Sequence, residues 1–212
     1  MTLWSDIFPG RQILERHWFR NPGTFSVTAP PRATHIRASA NGAGGWSIDT
    51  NRAGPGGAFA RTKTICAPGE VFNVQVGGHS DRNNRASDIG VAGDSFVKRA
   101  STLEVIVYAD RGRNNGAPGQ ASNCVGDVTR SGQPGGSSST DGASAGDESD
   151  LYQLGFGGRS NAGGVGGPYG PAPGGGGRVL VYWQYGGGYF EMAQAPGTGL
   201  VCVEFFEGDP GY

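Results

Sequence analysis

A dense glycine tract that borders an apolar strand pattern constrains this chain more than any other feature. Between residues 155 and 188, 15 of 34 residues are glycine, and the strand pattern Arg178-Val-Leu-Val-Tyr-Trp-Gln-Tyr185 lies within that span. Glycine has no side chain to bury and loses more backbone entropy on ordering than any other residue. Such a tract is ordered only where its backbone is hydrogen-bonded or where another part of a protein packs on it. The neighbouring strands favour an insertion within a folded β-domain over a free tail.

The apolar residues are distributed unevenly along the 212 residues. Hydrophobic residues make up 36% of the chain and glycine accounts for 41 positions, whereas globular proteins are richer in the first and poorer in the second. The deficit is confined to residues 112–177, while residues 1–110 and 178–206 have enough apolar side chains for a modest core. We therefore predict one β-domain over residues 23–212, with a glycine-rich insertion at 112–177. Two small domains are the alternative.

Charge and targeting signals exclude several classes of protein. The formal net charge is -1 and charged residues make up 17%, so the chain lacks the concentrated basic surface that nucleic acids or anionic membranes require. The first residues contain neither a basic stretch nor a long apolar run, which argues against a secretory signal. No window approaches the roughly 18 apolar residues of a membrane span. We expect a protein that is made in a reducing cytoplasm.

Alternating and apolar runs predict an antiparallel β-sandwich. Adjacent Pro30 and Pro31 cannot lie inside a central strand, so they separate strands at 25–27 and 34–38. The motif Ala67-Pro-Gly-Glu70 has proline and glycine where a type II turn requires them. It predicts a hairpin between strands at 58–66 and 71–76. Further strands are predicted at residues 95–98, 103–108, 178–185 and 200–206.

Residues 1–22 differ from the rest of the chain because they are rich in aromatic residues that have no apolar partner in register. Residues 11–20 fit no period well and are predicted as a short helix or an irregular segment. An exposed apolar segment of this kind is typical of a docking element. We predict that residues 1–22 attach the domain to another protein, with four anchor residues, Trp4, Phe8, Trp18 and Phe19.

Glycines on a three-residue register suggest how the insertion is built. The register includes Gly158, Gly164, Gly167, Gly170 and Gly176, and a polyproline II helix has three residues per turn with no internal hydrogen bonds. Glycine at every third position lets such helices approach closely and bond to one another. A flexible linker is the alternative. Prolines and aromatic residues within the tract favour an ordered, polyproline II-like layer.

The titratable residues predict neither an active site nor a metal site. The three histidines, His17, His35 and His79, have no metal-ligand spacing to one another or to cysteine and carboxylate. The acidic run at 147–150 lacks the ordered spacing of a calcium loop and is typical of a solvated turn. Three cysteines far apart match neither a disulfide framework nor a zinc pattern and are predicted to be buried thiols: Cys66, Cys124 and Cys202. We therefore predict a protein that is not an enzyme and needs no cofactor or metal.

Aromatic residues in glycine-rich surroundings are the candidate binding residues. Such rings have few local neighbours to bury them, whereas Tyr and Trp often stack on sugars or anchor protein interfaces. The alternative is that they fill gaps in their own domain or in a neighbouring subunit. The candidates for receptor contact are Trp46, Tyr152, Phe156 and Tyr169.

The order of motifs along residues 23–185 resembles the glycine-rich domains of tailed-phage virion proteins. An entry strand, Phe25-Ser-Val-Thr-Ala-Pro30, is followed by a strand that runs into glycines, Ile36-Arg-Ala-Ser-Ala-Asn-Gly-Ala-Gly-Gly45. A small-residue strand at 56–61, the Pro-Gly-Glu turn at 68–70 and a strand ending in Val-Gly-Gly at 72–78 come next. The remaining motifs are Asp94-Ser-Phe-Val97, the glycine tract, and the closing strand after Gly175-Gly-Gly. The chain departs from the pattern in its less pure glycine tract and in the additional segment at 189–212.

The resemblance implies a virion component, most readily one of the tail fibre or tail tip. It implies glycine-rich loops displayed toward a host-surface polysaccharide or outer-membrane protein, attachment to other virion proteins through residues 1–22, and a homo-oligomer, specifically a trimer. A capsid decoration, a head fibre or a tail connector without receptor binding is the alternative. An ice-binding protein built on polyproline II helices is a third hypothesis, which the missing secretion signal and the long β-segments disfavour.

Overall fold

The computed structural model describes residues 12–45, 54–78, 93–113, 117–134 and 197–210, together with the backbone of residues 179–184 and 188–193. These parts of the chain contain eleven β-strands and one short 3-10 helix, Ala121–Asn123, and no α-helix. The prediction of an all-β chain is confirmed. Every pairing between the strands is antiparallel.

The strands form two main sheets and a separate hairpin. The strands are β1 Gln12–Phe19, β2 Gly23–Thr28, β3 His35–Asn41, β4 Phe59–Ile65, β5 Val71–Val76, β6 Ser95–Arg99, β7 Val105–Ala109, β8 Val128–Arg130, β9 Val179–Gln184, β10 Gly188–Ala193 and β11 Leu200–Glu207. One sheet has five strands in the order β1-β11-β3-β4-β8, and the other has four in the order β2-β5-β6-β7. The strands β9 and β10 pair with each other.

Side chains from both main sheets share one apolar core. In β11, Val201, Val203 and Phe205 have no exposed surface, and they belong to the same cluster as Phe72 of β5 and Val107 of β7. The rings of Phe72 and Phe205 lie with their centroids 6.1 Å apart. Each buried side chain of this size stabilises the fold by roughly 1.5–3 kcal/mol relative to its exposed state. The shared core is therefore the main source of stability that joins the two sheets.

The second face of the five-stranded sheet is also buried, which explains the nearly continuous apolar sequence of β11. Leu200 and Cys202 pack with Phe59 in a second cluster on this face. On the same face, the buried carboxylate of Glu204 accepts hydrogen bonds from Arg16 Nε at 2.8 Å and Arg37 Nε at 2.7 Å. A buried charge needs such partners, so the two bonds fix the register of β11 against both of its neighbours, β1 and β3.

The predicted hairpin between residues 58–66 and 71–76 is wrong, although both strands exist. Strand β4 pairs with β3 and β8, whereas β5 pairs with β2 and β6 in the other sheet. The turn itself forms as predicted, since Glu70 N donates to Ala67 O at 3.0 Å and Gly69 has a φ of +77°. It therefore carries the chain from one sheet to the other.

A second crossing beside the first explains this connection. Residues 29–34, which include Pro30 and Pro31, lead from β2 in one sheet to β3 in the other. Backbone hydrogen bonds join this segment to the chain before and after the Pro68-Gly69 turn. Cys66 N donates to Thr34 O at 2.9 Å, and Ala29 N donates to Glu70 O at 2.8 Å. The two corners thus extend the pairing of both sheets. By contrast, the predicted strands at 95–98 and 103–108 do pair with each other, as β6 and β7.

The first described strand corrects the prediction for residues 11–20. Residues 12–19 form neither a helix nor an irregular segment but the strand β1, which pairs with β11 at the border of the sheet. Leu14 and Phe19 are partly buried against the shared core. Residues 1–11, the rest of the predicted attachment segment, lie outside the described residues, and the attachment role of residues 1–22 stays a prediction.

The start of the predicted insertion at 112–177 also belongs to the fold. Residues 128–130 form the strand β8 beside β4, so this part of the predicted insertion at 112–177 belongs to the five-stranded sheet. The side chain of Asp127 supports this pairing by accepting hydrogen bonds from Thr62 Oγ1 at 2.7 Å and Lys63 N at 3.1 Å. Residues 135–178 lie outside the described residues. The predicted strands at 178–185 and 200–206 are confirmed as β9 and β11, and the sequence did not predict β10.

Candidate functional site

Five short segments without regular secondary structure pack together where β3, β4, β7 and β8 meet. We call them the glycine layer: residues 42–45, 54–58, 110–113, 117–120 and 131–133. Their backbones bond directly to one another, as in Gly42 N to Ala58 O at 2.9 Å, Gly112 N to Ala43 O at 2.8 Å and Gly119 N to Gly56 O at 2.9 Å. The layer thus satisfies its own buried backbone groups, which buried polar groups generally require.

Close backbone approach is the reason for glycine in this layer. A Cβ atom added to Gly42 would lie well under 3.0 Å from the carbonyl oxygen of Asp110, and one added to Gly57 would meet the carbonyl oxygen of Gly42. A Cβ on Gly132 would meet the carbonyl oxygen of Gly56 in the same way. Since these obstacles are backbone atoms, a side-chain rearrangement cannot relieve them. The sequence predicts glycine segments that bond across a narrow gap at residues 158–176, which lie outside the described residues. The glycine layer shows the same principle in another part of the chain.

Asp110 fastens the glycine layer at its centre. Asp110 is 2% exposed. Its carboxylate accepts hydrogen bonds from both terminal nitrogens of Arg113 at 3.1 Å, from Gln120 N at 2.9 Å and from Asn123 Nδ2 at 3.0 Å. Its carbonyl oxygen accepts a further bond from Ala58 N at 2.7 Å. The glycine-rich, polar sequence that follows Asp110 is also typical of an aspartate that forms a turn. The sequence signal for its larger role is its position directly after the apolar strand β7.

Asp94 is a second acidic residue next to the layer. Its Oδ1 accepts a hydrogen bond from Arg111 N at 3.1 Å, and its carboxylate also bonds the side chain of Tyr108. Burial raises the pKa of Asp94 above its ordinary value of 3.8, and the bonds to Tyr108 and Arg111 oppose this only in part. Burial also raises the pKa of the Tyr108 hydroxyl, so it remains a hydrogen-bond donor at neutral pH.

We expect the Asp94→Asn variant to be more stable than the wild type at pH 7. Because the pKa of Asp94 is raised in the folded state, the folded chain binds more protons than the unfolded chain between pH 3.8 and that raised value. The free energy of unfolding therefore falls as the pH rises through this window. Asparagine removes the ionisation, so its advantage should shrink as the pH approaches 3.8. Urea unfolding of both proteins at pH 4 and pH 7 measures this, and an equal difference at the two pH values would contradict the prediction.

The cysteines are suited to packing and not to nucleophilic chemistry. All three are free thiols, Cys66 and Cys202 are buried as predicted, and Cys124 is half-buried. Burial raises the pKa of Cys66 to about 11 and that of Cys202 to about 12. Cys124 donates its thiol hydrogen to Gln120 O at 3.3 Å, and burial raises its pKa as well. Since the thiolate is the reactive form, none of these cysteines is activated.

We expect the folded chain to resist alkylation at Cys202. A thiol with a pKa of about 12 has a thiolate fraction at pH 8 that is roughly a thousandfold lower than that of an unperturbed thiol. Iodoacetamide followed by peptide mass spectrometry should therefore label Cys202 only after the protein unfolds. Cys124 should be labelled faster than Cys202 because it is less buried, and the reverse order would contradict this picture of the two sites.

The structure places some of the predicted site residues and leaves others untested. The candidate receptor contacts Trp46, Tyr152, Phe156 and Tyr169 and the anchor candidates Trp4 and Phe8 lie outside the described residues. Trp18 and Phe19 lie on opposite faces of β1, where Trp18 packs against the second cluster and Phe19 against the shared core. Both therefore stabilise this domain, and their predicted anchor role stays a prediction. In the described part of the chain, no group of three or more histidine, cysteine or acidic side chains is placed to hold a metal ion.

The glycine layer holds the described residues next to the segments that carry the receptor candidates. Gly45 N donates to Pro55 O at 2.9 Å, so the chain on each side of residues 46–53 is fixed in the layer. Gly56 N donates to Gln133 O at 3.0 Å, so the chain that leads into residues 135–178 also starts there. The layer therefore holds the described residues on both sides of 46–53 and those that precede 135.

Comparisons with known proteins give no assignment. No protein-family model matches the chain, and no curated protein matches it significantly. Among the described residues, no helix is long and apolar enough to cross a membrane.

Proposed function

We propose that this chain is a structural protein of a tailed-phage virion, located at the tail fibre or tail tip, which presents glycine-rich loops to a host receptor. The observation that carries the proposal is the glycine layer. Gly42, Gly45 and Gly57 of this layer belong to the motifs on which the resemblance to phage glycine-rich domains rests, and an added Cβ at each of them would collide with backbone. These motifs thus have a physical role in one compact arrangement, which supports the resemblance beyond its composition.

The architecture we propose is an antiparallel β-sandwich with a glycine-rich insertion. The shared core of the two sheets supports the sandwich. The bonds between Gly119, Gly132 and Gly56 support an insertion whose first residues pack in the glycine layer and whose remainder extends from it. We propose that the remainder is also ordered in the assembled particle, in the polyproline II-like form that its three-residue register suggests.

The receptor contacts are assigned to Trp46, Tyr152, Phe156 and Tyr169. Binding loops are best presented by a rigid scaffold, and the layer fixes the chain on both sides of Trp46 through the bond between Gly45 and Pro55. Stacking of these rings on a sugar, or packing on an outer-membrane protein, needs no catalytic group. The proposal therefore includes no enzymatic activity, no cofactor, no metal and no nucleic acid.

We propose further that the protein is a trimer attached to other virion proteins through residues 1–22. Strand edges that lack charge invite pairing with another chain. Strand β7, at one border of the four-stranded sheet, is bridged by Val125 at Tyr108. Strand β2, at the other border, contains no charged residue. Several copies would also multiply weak receptor contacts. Light scattering of the purified protein should give the mass of a trimer, and a stable monomer at micromolar concentration would overturn this part.

Electron microscopy of virions with an antibody against the chain tests the location. Label at the tail tip or fibre is expected. Label on the capsid would instead support a decoration or head-fibre protein, and label along the tail would support a connector.

Binding of the purified chain to isolated envelope polysaccharide or outer-membrane protein tests the receptor role, with a Trp46→Ala variant expected to bind more weakly. If the Trp46→Ala variant binds as strongly as the wild type, Trp46 is not a receptor contact.

A further inference from the structure

Among the four strands that border the two main sheets of the described chain, β2 alone has no protection against pairing. Border strands are protected by charge, short length, irregular pairing or a covering segment. Strand β1 contains Glu15 and Arg16 and has a register shift against β11, and β8 has three residues. The pairing of β7 with β6 also has a register shift, and β7 is bridged by Val125. By contrast, β2 has six residues without charge or proline, and it pairs with β5 in an unbroken register.

Half of the backbone groups of β2 point away from its sheet. Ala29, directly after β2, bonds on the β5 side, since Ala29 N donates to Glu70 O at 2.8 Å and Gly69 N donates to Ala29 O at 3.0 Å. Successive residues of a strand bond to alternate sides. Every second residue before Ala29 therefore directs its N–H and C=O groups outward: Thr28, Ser26 and Thr24. All three are exposed, and on that side no backbone hydrogen bond joins them to another described segment.

Strand β9 has an unpaired edge of the same kind. It pairs with β10 and with no other strand in the described part of the chain. Like β2, it has six residues and no charge, whereas β10 contains Glu191. A two-stranded hairpin is marginally stable at best in water and needs a third strand or other packing. The uncharged edge of β9 is therefore the side of the hairpin on which a further strand fits.

The hairpin is tethered beside the start of β2. Three residues separate the end of β10 from Gly197, whose carbonyl oxygen accepts a hydrogen bond from Gly44 N at 3.0 Å. Gly199 N donates to Gly77 O at 2.8 Å. Gly77 directly follows β5, whose last residue pairs with Gly23 of β2. Each copy of the chain therefore has its open edge and the attachment point of its hairpin at the same corner of the domain.

We propose that β9 of one copy of this chain adds to β2 of a neighbouring copy. The outward backbone groups of Thr24, Ser26 and Thr28 then bond to β9. Two copies share a six-stranded sheet in the order β7-β6-β5-β2-β9-β10, built from the four-stranded sheet and the hairpin. Because the two edges in contact are different, the copies associate head to tail, and three of them close a ring. The inference rests on the proposed trimer, for which it names the contact, and needs no virion role.

Two lysine variants test the edge of β2. Ser26→Lys places a charge on the border strand, whereas the matched control Asn73→Lys places it on the directly paired residue of the central strand β5. Light scattering should show that Ser26→Lys raises the concentration at which half of the trimer dissociates by roughly tenfold or more, with Asn73→Lys close to the wild type. A trimer that both variants form equally well would overturn this inference alone. A stable wild-type monomer would overturn the proposed trimer as well.

Amide exchange measured by NMR gives an independent readout of the same contact. In the assembled wild type, the outward amides of Thr24, Ser26 and Thr28 should exchange about as slowly as those of Phe25 and Val27, which face β5. Fast exchange at the three outward amides in an intact trimer would overturn the proposal. Slow exchange at these amides in a monomer would overturn it in favour of pairing within one chain.

A mixing experiment distinguishes exchange between copies from pairing within one chain. Val181→Pro disrupts β9, which belongs to neither main sheet, and leaves β2 intact. At a concentration where neither Val181→Pro nor Ser26→Lys assembles alone, a mixture should form a complex of two chains, since β9 of the lysine variant pairs with β2 of the proline variant. A mixture that stays monomeric, or a Val181→Pro chain that forms trimers as the wild type does, would contradict the proposal.

Discussion

The Gly57→Ala variant is expected to lose about 3 kcal/mol or more of stability, from the addition of one methyl group. The added Cβ would overlap the carbonyl oxygen of Gly42 and approach that of Ala43 to 2.8 Å. These atoms are held in place because Gly42 N is bonded to Ala58 O and Ala43 N to Gly93 O. Relief of the overlap therefore requires separation of two bonded segments of the glycine layer.

Thermal and urea unfolding of the full chain measure this effect. A loss of 3 kcal/mol corresponds to a decrease in Tm of roughly 10 °C for a chain of this size. The matched control is Gly78→Ala, whose added Cβ would lie 3.3 Å from a side-chain carbon of Pro22 and needs only a small adjustment. Its loss of stability should be less than about 1 kcal/mol. Equal stability of the two variants would show that the glycine layer is not packed as tightly as its backbone contacts indicate.

Local patterns in the sequence predicted the strands well but not their partners. The alternation in residues 59–65 and 71–76 and the turn at Pro68-Gly69 are all present in the structure. The error in the predicted hairpin arises because a type II turn connects strands of different sheets as readily as strands of one sheet. The choice here depends on Thr34 and Ala29, which bond to the chain on either side of the turn. These residues are more than 30 positions away, so no local pattern contains them.

The glycine layer was predictable in principle but not in position. The reasoning that glycine permits close, hydrogen-bonded backbones was applied to residues 158–176, where the repeat is visible. The described layer is instead assembled from single glycines such as Gly42, Gly57, Gly119 and Gly132, which have no common period. Which backbone segments these glycines contact depends on where β3, β7 and β8 end and where β4 begins. The arrangement of the sheets therefore has to be known before such glycines can be recognised.

Strand β8 shows the same limit for a short element. Its three residues, Val128–Arg130, follow a polar, glycine-rich stretch and have no apolar pattern of their own. They form a strand because β4 presents an open edge and because Asp127 bonds Thr62 and Lys63 of that strand. Edge pairing of this kind depends on tertiary context more than on intrinsic propensity.

Removal of the Asp110 side chain is expected to destabilise the chain by about 3 kcal/mol, close to the loss for Gly57→Ala. Asp110→Ala leaves Arg113, Gln120 N and Asn123 Nδ2 without the carboxylate that now accepts their hydrogen bonds. A buried donor that loses its acceptor costs about 1–3 kcal/mol. Arg113 contributes less than a fully buried cation would, because its side chain is 31% exposed and water replaces part of the lost interaction.

Asp110→Asn separates the charge of this residue from its geometry. Asparagine keeps one oxygen that accepts hydrogen bonds, so it should restore part of the stability that alanine loses, while the paired contact with Arg113 should weaken. A double-mutant cycle with Arg113→Ala then gives the coupling between the two side chains. Since the carboxylate joins residues 113, 120 and 123, amide exchange in residues 117–123 should accelerate in Asp110→Ala, while exchange in β5 changes only with global stability. Unchanged exchange in residues 117–123 would mean that backbone bonds alone hold this part of the layer, and that Asp110 is not its fastening point.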